Sequence, residues 1–147
     1  MNAIQFLINE HDKIRSAFAQ IADGGYPIQT RKKLLEDLCI TLLIHENMEQ
    51  EVWYYFLKKQ DDHLKEIITH LVNEEREVEE ELKEILRMNA SSDWQEKFIQ
   101  IRKNVEHHAQ EEEIRLFPMV KELLDRGVLK ELGREMQEYK AEFREAA

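Results

Sequence analysis

Turn-forming residues are scarce in this chain: its 147 residues include only four glycines and two prolines. Because glycine and proline are the strongest breakers of regular structure, this composition excludes a β-sandwich with many short strands and turns. Long apolar runs are also missing, and no stretch reaches the ~18 residues that a transmembrane helix needs. Hydrophobic residues still make up 42% of the chain, which is enough for a core and excludes a disordered protein. We expect one mostly helical domain over residues 1–147.

Cysteine and positive charge are also in short supply. Cys39 is the only cysteine, which excludes an intramolecular disulfide and favours a reducing, cytoplasmic location. The 31 acidic and 21 basic residues give a formal net charge of −10. A chain of this charge is repelled by phosphate backbones and anionic lipids, so we expect neither nucleic acid nor membrane as a partner. The N-terminal residues lack the basic segment of a signal peptide, and none is predicted.

Apolar residues recur at helical spacing in four long segments, which predicts an all-α fold. Short connections between long helices make neighbours antiparallel, so we predict an up-down-up-down four-helix bundle over about residues 3–126. A weaker pattern over about residues 130–144 predicts a short extra C-terminal helix that covers one end of the bundle.

Capping and breaking residues indicate where these helices begin and end. Thr30 and Asp61 are predicted N-caps of the second and third helices. A break at residues 89–92 is predicted to precede an N-cap at Asp93, and Gly127 is predicted to end the fourth helix.

Each apolar stripe is interrupted near its middle by ionisable residues. In antiparallel helices, residues equally far from the connecting turn lie at the same level. Counted from the turns in this way, all of the interruptions lie at about one level of the bundle. The six residues are His11, His45, Glu49, Glu75, His108 and Glu112. Charges in an apolar interior are costly, and neutral imidazoles with carboxylates are the ligands of divalent transition metals. The pattern therefore predicts a buried metal site in which two divalent ions offset the three carboxylates.

Spacing within the helices favours a dinuclear site. Residues four apart lie on one helical face, so the glutamate of each pair, His45–Glu49 and His108–Glu112, can bridge two metals while its histidine binds one. The alternative of a single zinc ion is less favoured, because zinc prefers four tetrahedral ligands, often with cysteine, and Cys39 lies outside this layer.

An internal repeat relates the two halves of the chain. A shift of 63 positions maps His45 onto His108 and Glu49 onto Glu112. A shift of 64 positions maps Glu10 onto Glu74 and His11 onto Glu75. The sequence therefore predicts a duplicated helical hairpin with a pseudo-two-fold axis between two metal positions. His11 and Glu75 are the one pair of ligands that differs in type.

The strings His45-Glu-Asn-Met-Glu49 and His108-Ala-Gln-Glu-Glu112, with His11 upstream, resemble the hemerythrin-like HHE cation-binding domains over about residues 3–125. The resemblance implies a non-haem di-iron centre, two Fe ions with a bridging oxo or hydroxo group, in a four-helix bundle. It assigns ligand roles to His11 and to both pairs. It also implies binding or sensing of a small diatomic ligand, O₂ or NO, or of iron itself.

The third helix departs from that family. Its usual histidine is replaced by Glu75, which makes the site richer in carboxylate than that of oxygen-carrying hemerythrins and disfavours simple reversible O₂ carriage. His70, together with Glu74, is the alternative ligand on this helix. A di-iron oxidase or peroxidase acting on O₂ or peroxide is the alternative function, and a purely structural metal is a third.

Residues close to the predicted ligands have simpler interpretations. His63 is expected at the surface, and His107 is expected in solvent or behind the ligands. Bundle packing is expected of three aromatic residues, Trp53, Tyr54 and Tyr55. Pro118 predicts a helix distortion in the fourth helix only.

Overall fold

The structure, a computed structural model, describes residues 1–89 and 92–146, with side chains described as far as residue 143. Within those ranges all regular structure is helical. The α-helices are α1 (Ala3–Asp23), α2 (Ile28–Met48), α3 (Tyr54–Leu57), α4 (Asp62–Leu86), α5 (Ser92–Glu111), α6 (Phe117–Leu123) and α7 (Arg126–Ala146). The expected all-helical bundle is confirmed.

Two π-helical segments interrupt the helices that carry the paired residues. Glu49–Trp53 joins α2 to α3, and Glu112–Leu116 joins α5 to α6. Each segment begins at the glutamate of a predicted ligand pair. The distortion expected only near Pro118 therefore occurs in both halves, so proline alone does not cause it. Such π-helical turns often occur at functional sites, where they change the direction of side chains.

Helix starts agree with the sequence in part. Asp61 caps α4, since its Oδ1 accepts hydrogen bonds from the backbone N–H groups of His63, at 2.7 Å, and Leu64, at 3.3 Å. The prediction for Thr30 is wrong, because α2 begins at Ile28, directly after Pro27. The predicted break at residues 89–92 lies partly outside the described residues. Asp93 is in the first turn of α5, which begins one residue earlier.

The helical core consists of two apolar clusters separated by a polar layer. The first cluster contains Leu7 and Leu71, and the second contains Ile14 and Val78. Both α1 and α4 pass from one cluster to the other between these residues. Every predicted ligand is buried, although it is ionisable. The fold therefore places the predicted ligands between two dry regions, where an unpaired charge is costly.

The C-terminal helix differs most from expectation. It begins at Arg126 and has 21 residues, as many as α1. Asp125 accounts for the early start, because its Oδ1 accepts the backbone N–H of Val128 at 2.9 Å. Gly127 lies in the first turn of α7 and does not end the preceding helix, which stops at Leu123.

Helix α7 packs along the bundle. Leu129, Leu132 and Met136 are buried in the first apolar cluster. At Gly133, a Cβ atom would lie 2.8 Å from the backbone oxygen of Met1, so only glycine permits this approach to the start of α1. Lys140 then reaches Glu10 on α1. The described contacts of α7 thus lie in the first apolar cluster and at Glu10, beside the predicted ligands.

Candidate metal centre

The predicted ligands meet in two groups of three. We call the first the histidine-rich triad, formed by His11, His45 and Glu112, and the second the carboxylate-rich triad, formed by Glu49, Glu75 and His108. In each triad, one ligand atom from every residue lies within 4.8 Å of the others. All six residues are buried, and both glutamates at the starts of the π-helical segments are fully buried. The two triads are the candidate metal centre.

The triads are interlocked, because each helical pair is divided between them. His45 Nε2 lies 2.9 Å from Glu49 Oε1, and His108 Nε2 lies 3.4 Å from Glu112 Oε1. Within the carboxylate-rich triad, His108 Nε2 lies 3.1 Å from Glu75 Oε2. Glu49 and Glu112 therefore stand where the triads meet, which is the position that a bridging carboxylate requires.

Several polar atoms at the centre lie close to one another but make no well-aligned hydrogen bond among the described residues. These are His11 Nε2 and both carboxylate oxygens of Glu49 and Glu112, at the meeting point of the triads, and His45 Nδ1, which faces Glu10. Buried polar atoms are nearly always hydrogen-bonded, and leaving one unsatisfied costs about 1–3 kcal/mol. Cations bound at the two triads would supply partners for the first five of these atoms. The donor set of imidazole nitrogens and carboxylate oxygens fits a divalent transition metal.

Each histidine of the centre faces a second carboxylate on its other nitrogen. The pairs are His11 Nδ1 with Glu113 Oε2 at 2.6 Å, His108 Nδ1 with Glu74 Oε1 at 3.3 Å, and His45 Nδ1 with Glu10 Oε1 at 3.6 Å. We call Glu10, Glu74 and Glu113 the outer carboxylates. At His11 and His108 the carboxylate lies within hydrogen-bond distance of Nδ1, which favours the tautomer that leaves Nε2 free for a metal and orients the ring.

The outer carboxylates are themselves held in place. Arg15 Nη2 donates to Glu113 Oε1 at 3.0 Å, and Lys140 of α7 contacts Glu10. Glu74 Oε2 lies 3.1 Å from His107 Nε2. Sequence reasoning missed the ligand-orienting role of all three outer carboxylates, although the 64-residue repeat had paired Glu10 with Glu74.

The repeat also relates Gln50 to Glu113, the second residues of the two π-helical segments. Glu113 accepts from the imidazole of His11, while Gln50 Nε2 donates to Glu75 Oε1 at 2.9 Å. His11 therefore has a hydrogen-bond acceptor beside it, and Glu75, its repeat counterpart, has a hydrogen-bond donor. Where the second half of the chain has a carboxylate in place of the His11 imidazole, the neighbouring residue is an amide in place of the Glu113 carboxylate.

The electrostatics of the centre favour the protonated forms of His11 and His108 in the absence of metal. Burial lowers the pKa of His11, but Glu112 and Glu113 outweigh it, so the pKa is raised. Burial likewise opposes the charged form of His108, yet Glu74 and Glu75 raise its pKa well above the usual value. A metal ion would have to displace these protons.

The pKa values of the two central glutamates, Glu49 and Glu112, shift in opposite directions. Burial and the charges of Glu112 and Glu75 raise the pKa of Glu49 well above its usual value. Burial also acts to raise the pKa of Glu112, but the neighbouring Glu49, which holds a proton, and the imidazoles of His11 and His108 lower it. The two central glutamates therefore differ in protonation before any cation binds.

Glu46 is a further buried acid that the apolar pattern did not reveal. It follows His45 directly, about 100° away around the helix, where the sequence predicts a solvent-facing position. Its side chain is 5% exposed. Burial, the charge of Glu75 and a hydrogen bond with Glu79 raise its pKa to about 10.

Tyr54 adds a phenol to the carboxylate-rich triad. It is buried, and its hydroxyl lies 3.4 Å from His108 Nε2. Burial and the charges of Glu112 and Glu49 raise its pKa well above 10, so the hydroxyl keeps its proton. Its repeat counterpart is Phe117, which stacks against His11 with ring centroids 6.2 Å apart. Tyr54 is buried as expected, but the expectation of packing alone overlooked this polar contact. The packing expectation is wrong for Tyr55, which is 51% exposed.

The remaining candidate histidines lie at the surface. His70 is 57% exposed, and its Nε2 lies 3.6 Å from Glu74 Oε2, outside both triads. His107 is 59% exposed and His63 is exposed at the start of α4. On the third predicted helix, the structure brings Glu75 into the centre and leaves His70 outside.

Comparison with known proteins identifies one family. The sequence model of the hemerythrin HHE cation binding domain matches residues 2–120. The comparisons found no significant match among curated proteins or among solved structures. None of the described helices combines the length and apolarity needed to cross a membrane.

Proposed function

The chain belongs to the hemerythrin HHE cation-binding family, and we propose that its two triads hold a di-iron centre. The family implies metal-ion binding, and the buried histidine and glutamate groups are suited to it. We assign His11, His45 and Glu112 to one iron, and Glu49, Glu75 and His108 to the other. Glu49 and Glu112 would bridge the two ions together with an oxo or hydroxo group.

One observation supports this proposal most strongly: five buried ligand atoms make no well-aligned hydrogen bond, while His11 and His108 face outer carboxylates on their other nitrogens. A structural polar network would satisfy its central atoms, whereas a metal site leaves them for the ion. The protein contributes fixed ring orientations, two shared carboxylates and a dry surrounding core. Iron bound there would supply affinity for O₂ or NO and the capacity for redox change.

The bundle that holds this centre is, in our proposal, a single up-down-up-down domain. Contacts between α4 and α5 support it, because the residue number rises along α4 while that of its partner on α5 falls, as antiparallel helices require. The contacts are Glu74 with His108, Glu81 with Asn104, and Glu84 with Lys97. We also propose a cytoplasmic location, which the free, buried thiol of Cys39 supports.

We favour binding or sensing of a small diatomic ligand or of iron. A second candidate, a di-iron oxidase or peroxidase, is supported by the carboxylate-rich triad and by the Tyr54 hydroxyl beside it. The two carboxylates of this triad favour oxidised iron, and a protonated phenol can donate a hydrogen bond to a ligand at that side of the centre.

Metal analysis of protein purified without chelators tests the proposal. We expect two iron ions per chain. Less than one metal per chain, in protein that is folded by circular dichroism and reconstituted without oxygen with Fe(II), would contradict it. Exposure of the Fe(II) form to O₂ then separates the candidates. A reversible change in visible absorption indicates ligand binding, and sustained peroxide consumption indicates catalysis.

A further inference from the structure

A cavity of about 340 Å³ lies beside the two triads. Its inner end is lined by ligands from both triads, including His11 and His108. The rest is lined by apolar residues, among them Phe18, Leu42 and Val78 of the second cluster, and by four charged residues: Arg15, Glu46, Arg102 and Glu106. The lining on α1 runs from His11 to Phe18, which corresponds to about 10 Å along the helix.

The size of this cavity exceeds what a diatomic ligand needs. A water molecule, which is similar in size to O₂, takes up about 30 Å³ of liquid volume. Cavities of roughly 300–1,000 Å³ with apolar walls and few polar groups typically bind small organic molecules. The long apolar wall therefore matches a hydrocarbon chain or ring that extends away from the metal centre.

Two arginines line the same cavity, and their surroundings differ. Arg15 is neutralised by Glu106 at 2.8 Å and by Glu113 at 3.0 Å. Arg102 is half-buried and has no ion-pair partner among the residues that the structure describes. A partly buried guanidinium without a carboxylate favours an anionic ligand, which it can bind through two parallel hydrogen bonds.

We propose that this cavity binds an apolar organic acid. Its carboxylate pairs with Arg102, and its hydrocarbon part lies against Phe18, Leu42, Val78 and Val105. The inner end of the ligand then faces the triads. Binding depends on the cavity and the arginine, and only a role as substrate or effector of the metal centre rests on the proposed function.

Isothermal titration calorimetry with octanoate tests this inference, with octanol as the uncharged probe. We expect octanoate to bind once per chain, and Arg102→Gln to weaken it roughly tenfold, the usual effect of losing a charge-assisted hydrogen bond. Octanol should bind the unsubstituted protein and the Arg102→Gln variant with equal affinity. Arg126→Gln removes the same charge from an exposed position on α7 and should leave octanoate binding unchanged. No saturable octanoate binding, or equal weakening by both substitutions, would overturn the inference.

A second variant tests the apolar wall. Val105 is half-buried and lines the cavity, so Val105→Phe should fill part of the space and weaken octanoate and octanol alike. Unchanged affinity in a variant with normal thermal unfolding would contradict the assignment of the wall. Iron content is measured on the same samples. Normal iron without octanoate binding defeats only this inference, and octanoate binding without iron defeats only the proposed metal centre.

Discussion

The histidine-rich and carboxylate-rich triads occupy equivalent positions of a duplicated hairpin, yet their donors differ. The first offers two imidazoles and one carboxylate, and the second offers one imidazole and two carboxylates. The source of the difference is one position, His11 in the first half and Glu75 in the second. Since carboxylate oxygens are harder donors and carry charge, we expect the two metal positions to differ in affinity and in preferred oxidation state.

Supporting residues explain how one fold accommodates both donor sets. Glu113 accepts from His11, and Gln50 donates to Glu75, so each inner ligand has a partner of the opposite hydrogen-bonding type. A carboxylate in place of Gln50 would repel Glu75 in a buried setting. The difference between His11 and Glu75 is therefore accompanied by a second difference, between their hydrogen-bond partners Glu113 and Gln50.

The largest effect is expected from His108→Ala. This change removes the only imidazole of the carboxylate-rich triad and leaves the buried Glu75 without its cationic partner. Breaking such a buried pair costs about 3–5 kcal/mol, which lowers the melting temperature of the metal-free protein by roughly 10 °C. Bound iron should fall to one ion or fewer per chain. His107→Ala is the matched control at an exposed neighbour, and two ions retained by H108A would rule out the ligand assignment.

A second expected effect concerns pH. The raised pKa values of His11 and His108 stabilise the metal-free fold fully below about pH 6.5, the unfolded value, and this stabilisation is lost as pH rises through the folded values. Glu46 acts with the same sign: because its folded pKa is raised from 4.5 to about 10, the fold loses stability between these values.

Melting temperatures between pH 5 and 9 check this effect. We expect the metal-free protein to lose several degrees with rising pH, and Glu46→Gln to reduce the slope. Iron-loaded protein should show a smaller loss or the opposite trend, because metal binding strengthens as the ligands lose protons. Identical slopes for both forms would indicate that the metal does not replace protons at these residues.

The different parts of the centre were not equally predictable from sequence. His11 and Glu75 interrupt otherwise regular apolar stripes, so the helical period and the repeat revealed both. Glu113 and Glu46 are one residue away from such positions, on a face where glutamates are usually solvated, and the chain has 31 acidic residues. Only the tertiary structure shows which of these acids turn inward. The full extent of α7 was also missed, because its start depends on the Asp125 cap.

A paired substitution tests whether the asymmetry has the origin that we assign to it. Glu75→His alone places an imidazole against the amide donor of Gln50, and we expect weaker iron binding. Adding Gln50→Glu supplies the acceptor that His11 has in the other half. We expect the double variant to recover affinity, with a coupling of about 1–3 kcal/mol in the cycle. Iron titrations of the four proteins measure it, and additive effects would contradict the pairing.

The smallest effect is expected from His70→Ala, which tests the alternative ligand on α4. The side chain is 57% exposed and lies 3.6 Å from Glu74, a carboxylate that His107 and His108 also contact. Its removal should change iron affinity by less than about twofold, because two other imidazoles still hold Glu74. Glu75→Gln removes a buried charged donor and should weaken iron binding far more, as measured by competition with a chelator. The reverse order would transfer the ligand role to His70, and the carboxylate-rich triad would then become a second histidine-rich one.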